Sequence, residues 1–251
     1  LKTYNQFDRE WGPEDLINWC ALLANPQKTI LKRDAPLLNY DEGRPIKRQI
    51  VSPDTVVRVT ENGLVFGTPH QGDELVMRLM SVRNYPRACT LHAMGSLIGD
   101  YMQPAIGYTS PFMMTLGITT QDFEETRAAT QMKAARATQK ADSPMAKYMP
   151  EMRDIKADWD IAQRAFDEGK GTVRIFHQIA VFAPPNEIAR AAQSAQAVWR
   201  SREFEICSDT FVQLQGFLGA MPMSLTKSLT RDIKLAHRLS TKTVPNAVNM
   251  A

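Results

Sequence analysis

The sequence predicts an α+β fold: a split ferredoxin-like antiparallel sheet of two strand–helix–strand units, with an inserted helical hairpin arm. Three observations predict it. Residues 74–119 and 172–207 each read strand, helix, strand. The stretch between them, 121–170, carries two long helical periodicities broken only around Ser143-Pro144. That hairpin begins and ends beside strands, so it is rooted in the sheet.

Three regions follow from this reading: an N-terminal helix and linker arm over 1–49, the sheet domain with its insertion over 50–208, and a C-terminal helical segment over 209–251. In the first, Trp11-Gly12-Pro13-Glu14-Asp15 opens a helix carrying Leu16, Ile17, Trp19, Leu22 and Leu23. Proline suits the first helical turn, and acidic residues there face the positive end of the helix dipole. The helix should end near Asn25-Pro26. From Lys28 to Arg48, basic residues and prolines mix without period, which predicts a linker or extended arm, either a loop lying on the domain or an arm that binds a partner.

Residues 55–67 predict a β-hairpin. Val57 and Val59 alternate with polar residues, Leu64 and Phe66 resume the alternation, and Asn62-Gly63 offers the positive φ angles of a tight turn. His70 falls in the following loop. The first strand–helix–strand unit is a strand over 74–83, a helix over 90–102 capped by Thr90, and a strand over 112–119 with Phe112, Met114, Leu116 and Ile118 on one side. The second is a strand over 172–182 with Val173, Ile175, His177, Ile179 and Val181 on one face. A helix capped by Asn186 runs to Arg200, and a strand over 203–207 turns Phe204 and Ile206 inward. The strand order stays open at this point.

The first arm helix, 121–140, is rich in alanine, which favours helix and lets a neighbour approach closely. The second, 151–168, carries Met152, Ile155, Trp159, Ala162 and Phe166 at steps of three and four, a short coiled-coil-like seam. The seam packs on the first helix, and Trp159 is the candidate for a partner contact. Beyond the sheet, Phe211, Leu214, Phe217 and Leu218 predict another helical seam. An amphipathic helix over 225–239 follows, with Lys227, Arg231, Lys234 and Arg238 along one side. Such a stripe is either a solvated face or a contact for phosphates or an acidic partner.

The net charge of +3 is too small for a bulk nucleic-acid binder, so a basic contact must be local. Three scattered cysteines, Cys20, Cys89 and Cys207, fit free thiols in a reducing compartment. No apolar run reaches the ~20 residues of a membrane helix. No signal peptide opens the chain, which starts without Met, and it reads as a piece of a longer protein. A phosphate-binding loop needs G-x-x-x-x-G-K-[ST]. Around Gly169-Lys170, Arg164 replaces the first glycine and Gly171 replaces the hydroxyl. No zinc, nucleophile-elbow or dinucleotide-binding motif occurs. His177 reads as a hydrogen-bonded core histidine, with a catalytic base as the alternative. His92 has no carboxylate or cysteine at helical spacing. No catalytic, cofactor-binding or metal-ligating residue is therefore assigned.

Several landmarks line up with a known family. They are Arg83-Asn84 ending a strand, Ser110-Pro111-Phe112 opening one, Lys147-Tyr148-Met149-Pro150, Asp158-Trp159, Gly169-Lys170-Gly171-Thr172-Val173, and Phe217-Leu218-Gly219-Ala220-Met221-Pro222. In this order they resemble the region ahead of the motor domain in TraC-like ATPases of F-type type IV secretion systems. The resemblance covers roughly 40–251, and 241–249 is similar to the link that precedes the ATPase domain. It implies a cytoplasmic protein, peripheral at the inner membrane, acting in pilus assembly and in transfer of DNA or protein. It implies inner-membrane channel components as partners and a hexamer for the full-length protein. ATP and magnesium would belong to the motor domain alone, so the isolated chain is expected neither to bind nor to hydrolyse ATP. The alternative from a different class is a nucleic-acid-binding adaptor using the basic helix.

Overall fold

The structure is a computed structural model that describes residues 11–32, 38–67, 72–86, 95–99, 106–120, 122–169, 173–222 and 243–244. The chain divides into two compact units. One comprises Leu1–Thr115 and His177–Ser240, the other Leu116–Phe176 and Thr241–Ala251.

The first unit opens with α1, Pro13–Ala24, as the proline and acidic residues predict. Gly12 N–H donates to Asp15 Oδ2 at 3.0 Å, satisfying one of the orphan donors of the first turn. The expected linker after it is corrected. Gln27–Lys32 forms a π-helical turn, and Ile46–Ile50 a short helix, α2. The cause is Asn25, which is buried. Its Nδ2 donates to Ala21 O and Ile50 O, each at 2.7 Å, and its Oδ1 accepts from Ser52 N at 2.9 Å and Thr55 Oγ1 at 2.6 Å. One side chain thus closes a loop across 25–30 residues, a long-range contact that local periodicity does not carry.

The described strands are β1 (Val57–Thr60), β2 (Gly63–Phe66), β3 (Leu75–Asn84), β4 (Phe112–Thr120), β5 (Val173–Ala183), β6 (Glu205–Ser208) and β7 (Thr243–Val244). They follow the path β1-β2-β3-β5-β4, with β6 on β3 and β7 on β5. The strands of the two strand–helix–strand repeats therefore interleave as β6-β3-β5-β4, the split arrangement expected, and β3 is antiparallel to both β5 and β6. The hairpin is present, but its turn differs from expectation. Thr60 pairs with Gly63, so the turn is Glu61-Asn62, and neither Asn62 nor Gly63 has a positive φ. Gly63 is needed for a different reason: a Cβ there would lie 2.6 Å from the Met77 carbonyl oxygen on the neighbouring strand.

One sheet face buries Met80, Val82, Ile179 and Val181 beneath Leu97 and α5, Ile188–Arg200. Alternate residues of the same strands, Leu75, Met77, Leu79, Ala180 and Phe182, face the other way and pack with Leu64, Phe66 and Phe217. Phe204 and Ile206 are buried as expected. Two termini are corrected. Asn186 does not cap α5; it lies in the turn before Glu187, whose amide bonds Pro184 O at 2.9 Å. The last described helix, α6, is Gln213–Ala220, so Phe211 falls outside it, 72% exposed and at φ 65°. Leu218 is exposed too, and the buried seam is Gln213, Gly216 and Phe217. The predicted helix over 90–102 lies mostly outside the described residues.

The order of pairing leaves a gap that α6 fills. One edge of β3 is shared: β2 pairs with Leu75–Met77, and β6 pairs with Met80–Asn84. Leu79 lies between. Its N–H donates to Gln213 Oε1 at 2.7 Å, and its carbonyl accepts from Gln213 Nε2 at 3.1 Å and from Asp209 N at 3.1 Å. The carboxamide thus stands in for a missing strand residue. Gln178 Nε2 donates to Gly216 O at 2.9 Å, and the absent side chain of Gly216 leaves room for Leu79.

Candidate functional site

The second unit holds the inserted hairpin. Its first helix, α3, is Phe123–Ala141, and its second, α4, is Glu151–Asp167. Asp122 caps α3, accepting from Glu125 N at 2.8 Å, as Asp does at an N-cap. The helices pack through small residues: Thr130, Ala134 and Ala137 on α3, and Ala162 and Ala165 on α4. At the strand end Phe123 meets Phe166 edge-on, with ring centroids 5.5 Å apart. Further along, Lys133 Nζ sits 5.3 Å from the centre of the Trp159 ring, a cation–π contact. Arg127 and Asp167, 3.7 Å apart, are both too exposed to add much stability.

The predicted seam is corrected at one position. Ala162 and Phe166 are buried and Trp159 is half-buried, but Ile155 is 49% exposed. The contacts Phe123–Phe166 and Lys133–Trp159 set an antiparallel register that brings Ile155 level with Ala137, whose methyl is too short to cover it.

The turn joining the helices is well built and yet apolar outside. Ser143 Oγ donates to Lys140 O at 2.7 Å, and Pro144 starts a 3₁₀ turn over Pro144–Lys147 with Ala146 buried beneath it. Around that anchor Met145 is 62% exposed, Tyr148 86% and Met149 44%. Exposed apolar side chains scattered singly mean little, but three within five residues on a fixed turn form a patch. Methionine and tyrosine are also suited to contact surfaces, the first adaptable and the second apolar with a polar tip. Sequence reading passed over this patch. Its signal is the pair of prolines, Pro144 and Pro150, bracketing apolar residues where a polar loop is the norm.

The other sequence candidates divide sharply. Lys227, Arg231, Lys234 and Arg238 lie outside the described residues, as do His70, His92 and Cys89. Cys20 and Cys207 are free thiols, and burial pushes both up. His177 is a core residue. Its ring meets Trp199 at 4.7 Å and Phe204 at 6.4 Å, and its Nδ1 is buried with no hydrogen-bond partner among the described residues. The hydrogen bond expected of a core histidine is not made at Nδ1. Burial lowers its pKa from 6.5 to about 4. The folded chain therefore holds it neutral while the unfolded chain protonates it below pH 6.5. Its contribution is fully present above pH 6.5 and is lost as pH falls toward 4, by about 3 kcal/mol in total. Urea melts between pH 7.5 and 4.5 should show that loss, and His177→Phe should flatten it.

Among the described residues no helix is long and apolar enough to cross a membrane, and no group of three His, Cys, Asp or Glu could hold a metal ion.

Comparison with known proteins places the chain. The family model described as TraC protein matches residues 1–225. Protein TraC of Escherichia coli (strain K12) is 23% identical over 218 residues, which is 84% of this chain and 24% of that protein. The chain thus spans 24% of the length of that relative. The match begins ahead of Tyr40, where the resemblance begins, and stops short of the 241–249 segment. With the family match running across the helical lobe, the interleaved sheet and the inserted hairpin alike, the chain belongs to the TraC family.

Proposed function

We propose that this chain is the docking and oligomerisation region of a conjugation ATPase of a type IV secretion system. In this reading it supports pilus assembly and transfer of DNA or protein without doing chemistry itself, and ATP and magnesium belong to a motor domain elsewhere in the parent protein. Its partners are inner-membrane components of the channel and further copies of the same protein, assembling as a hexamer at the cytoplasmic side of the inner membrane. Membership of the TraC family supports the conjugation role. The observation that carries the docking role is the apolar turn of the hairpin, with Met145, Tyr148 and Met149 exposed on a rigid 3₁₀ anchor. Trp159, braced by Lys133, is the second candidate contact on the same hairpin.

The test uses the full-length parent in donor cells. Met145→Asp, Tyr148→Asp and Met149→Asp together should lower transfer frequency by about tenfold or more, since buried aromatic anchors dominate interface energies. Protein level should stay unchanged, because all three residues are exposed. Transfer at the unsubstituted frequency would contradict the docking role.

A further inference from the structure

The N-terminal helical lobe contains a pocket of about 280 Å³ between α1 and the 38–53 segment. Three of its lining residues are cationic, Lys28, Arg44 and Arg48, and none is acidic. Lys28 is already answered: its Nζ donates to Ser52 Oγ at 2.6 Å and to Asp54 Oδ1 at 2.7 Å. That contact, led by the Lys28 hydrogen bond, lowers the Asp54 pKa to about 2. Arg44 and Arg48 have no carboxylate partner among the described residues. Arg44 and Arg48 both line the pocket, and an anion bound there would offset two like charges on one wall.

The wall that holds them is preorganised. Asn25 fixes the backbone at Ile50 and Ser52, and Gln49 Nε2 donates to Asp41 O and Arg44 O, each at 2.8 Å. A backbone fixed in this way lowers the ordering cost of binding an anion on it. Guanidinium forks pair with two oxygens at once, and a tetrahedral dianion can engage two forks where a carboxylate engages one. The volume sits just below the usual range for ligand pockets, about 300–1,000 Å³, which limits the body that the anionic group can carry.

We propose that this pocket binds a phosphate dianion, free or as a small monoester, with Arg44 and Arg48 as the phosphate ligands and Lys28 bracing the floor. The pocket lies in the first unit and the hairpin turn in the second, so its test does not use the hairpin residues.

The 251-residue chain is titrated by calorimetry with inorganic phosphate and with glycerol 3-phosphate, at constant ionic strength, with acetate as the comparison anion. Saturable binding of one or both phosphates is expected, with acetate much weaker. The Arg44→Ala/Arg48→Ala variant should lose about tenfold or more in affinity for each guanidinium removed. Both arginines are exposed, so that variant should melt without ligand at or above the temperature of the unsubstituted chain. Binding of phosphate only beyond the pocket's role would show as equal affinity in the variant and would overturn the proposal. So would acetate binding as tightly as phosphate, or no saturable binding of either phosphate. Tighter binding of glycerol 3-phosphate than of inorganic phosphate would assign an organic body to the ligand, and the reverse order would assign the free anion.

Discussion

Replacing Trp199 with alanine is expected to destabilise the sheet unit by about 4 kcal/mol, a large share of the roughly 5–15 kcal/mol that holds a domain folded. Trp199 is fully buried on α5 and joins three elements. Its ring packs edge-on against Phe204 at 5.4 Å, ahead of β6, and against His177 on β5. Its Nε1 donates to the Tyr108 hydroxyl at 3.1 Å, and that hydroxyl donates to Leu97 O at 2.6 Å. Tyr108 in turn stacks on Phe112 at 3.9 Å, at the start of β4. The truncation therefore opens a cavity and removes the indole donor to Tyr108, whose own pKa burial pushes up to about 12. Trp199→Phe should cost less, since it keeps most of the packing and loses only the donor. Denaturant melts of both variants at pH 7.5 check the ranking. Equal losses would show that the hydrogen-bond relay, and not packing, sets the effect.

Replacing Gln213 with leucine should cost a similar amount, about 4 kcal/mol, with nearly the same buried volume. The cause is polar. Leucine leaves the Leu79 N–H without an acceptor and the Asp209 carbonyl without the 2.5 Å bond from Gln213 Nε2, all inside the protein. Each buried group left unpaired costs about 1–3 kcal/mol. Gln213→Glu is the sharper probe. At neutral pH its carboxylate would face two carbonyl oxygens, of Leu79 and Asp209, so the loss should exceed that of leucine. A protonated carboxyl can donate to one of them, so the deficit should shrink as pH falls. A leucine variant as stable as the unsubstituted chain would mean that water reaches the Leu79 amide and that the gap between β2 and β6 is not sealed.

These two residues also mark what was legible in the sequence. Period-two alternation located β3, β4 and β5, and it turned Ile179, Val181, Phe204 and Ile206 inward as observed. Helix periods located α3, α4 and α5 to within a few residues. Such signals are local, because each residue's face depends on its near neighbours. Gln213 reads as an ordinary polar helix residue until β2 and β6 are seen to share one edge of β3. That arrangement joins segments more than 130 residues apart. Asn25 and the pocket it closes were hidden in the same way, in a stretch whose prolines and basic residues read as linker. β1 shows the opposite case: Val57 and Val59 alternate properly, yet both are exposed, because alternation identifies a strand without saying whether anything covers it. For the hairpin, the helices were legible from composition. The exposed turn was not, because exposure of Tyr148 depends on how the 3₁₀ anchor aims it.

The docking role is tested most directly at Tyr148 itself. A photo-crosslinking amino acid is placed at position 148 of the full-length parent in cells carrying the complete transfer system, with position 124, an exposed site on α3, as the control. An adduct specific to position 148, containing either an inner-membrane channel component or a second copy of the protein, is the expected result. Crosslinking at 148 no different from that at 124 would contradict a docking role for the hairpin.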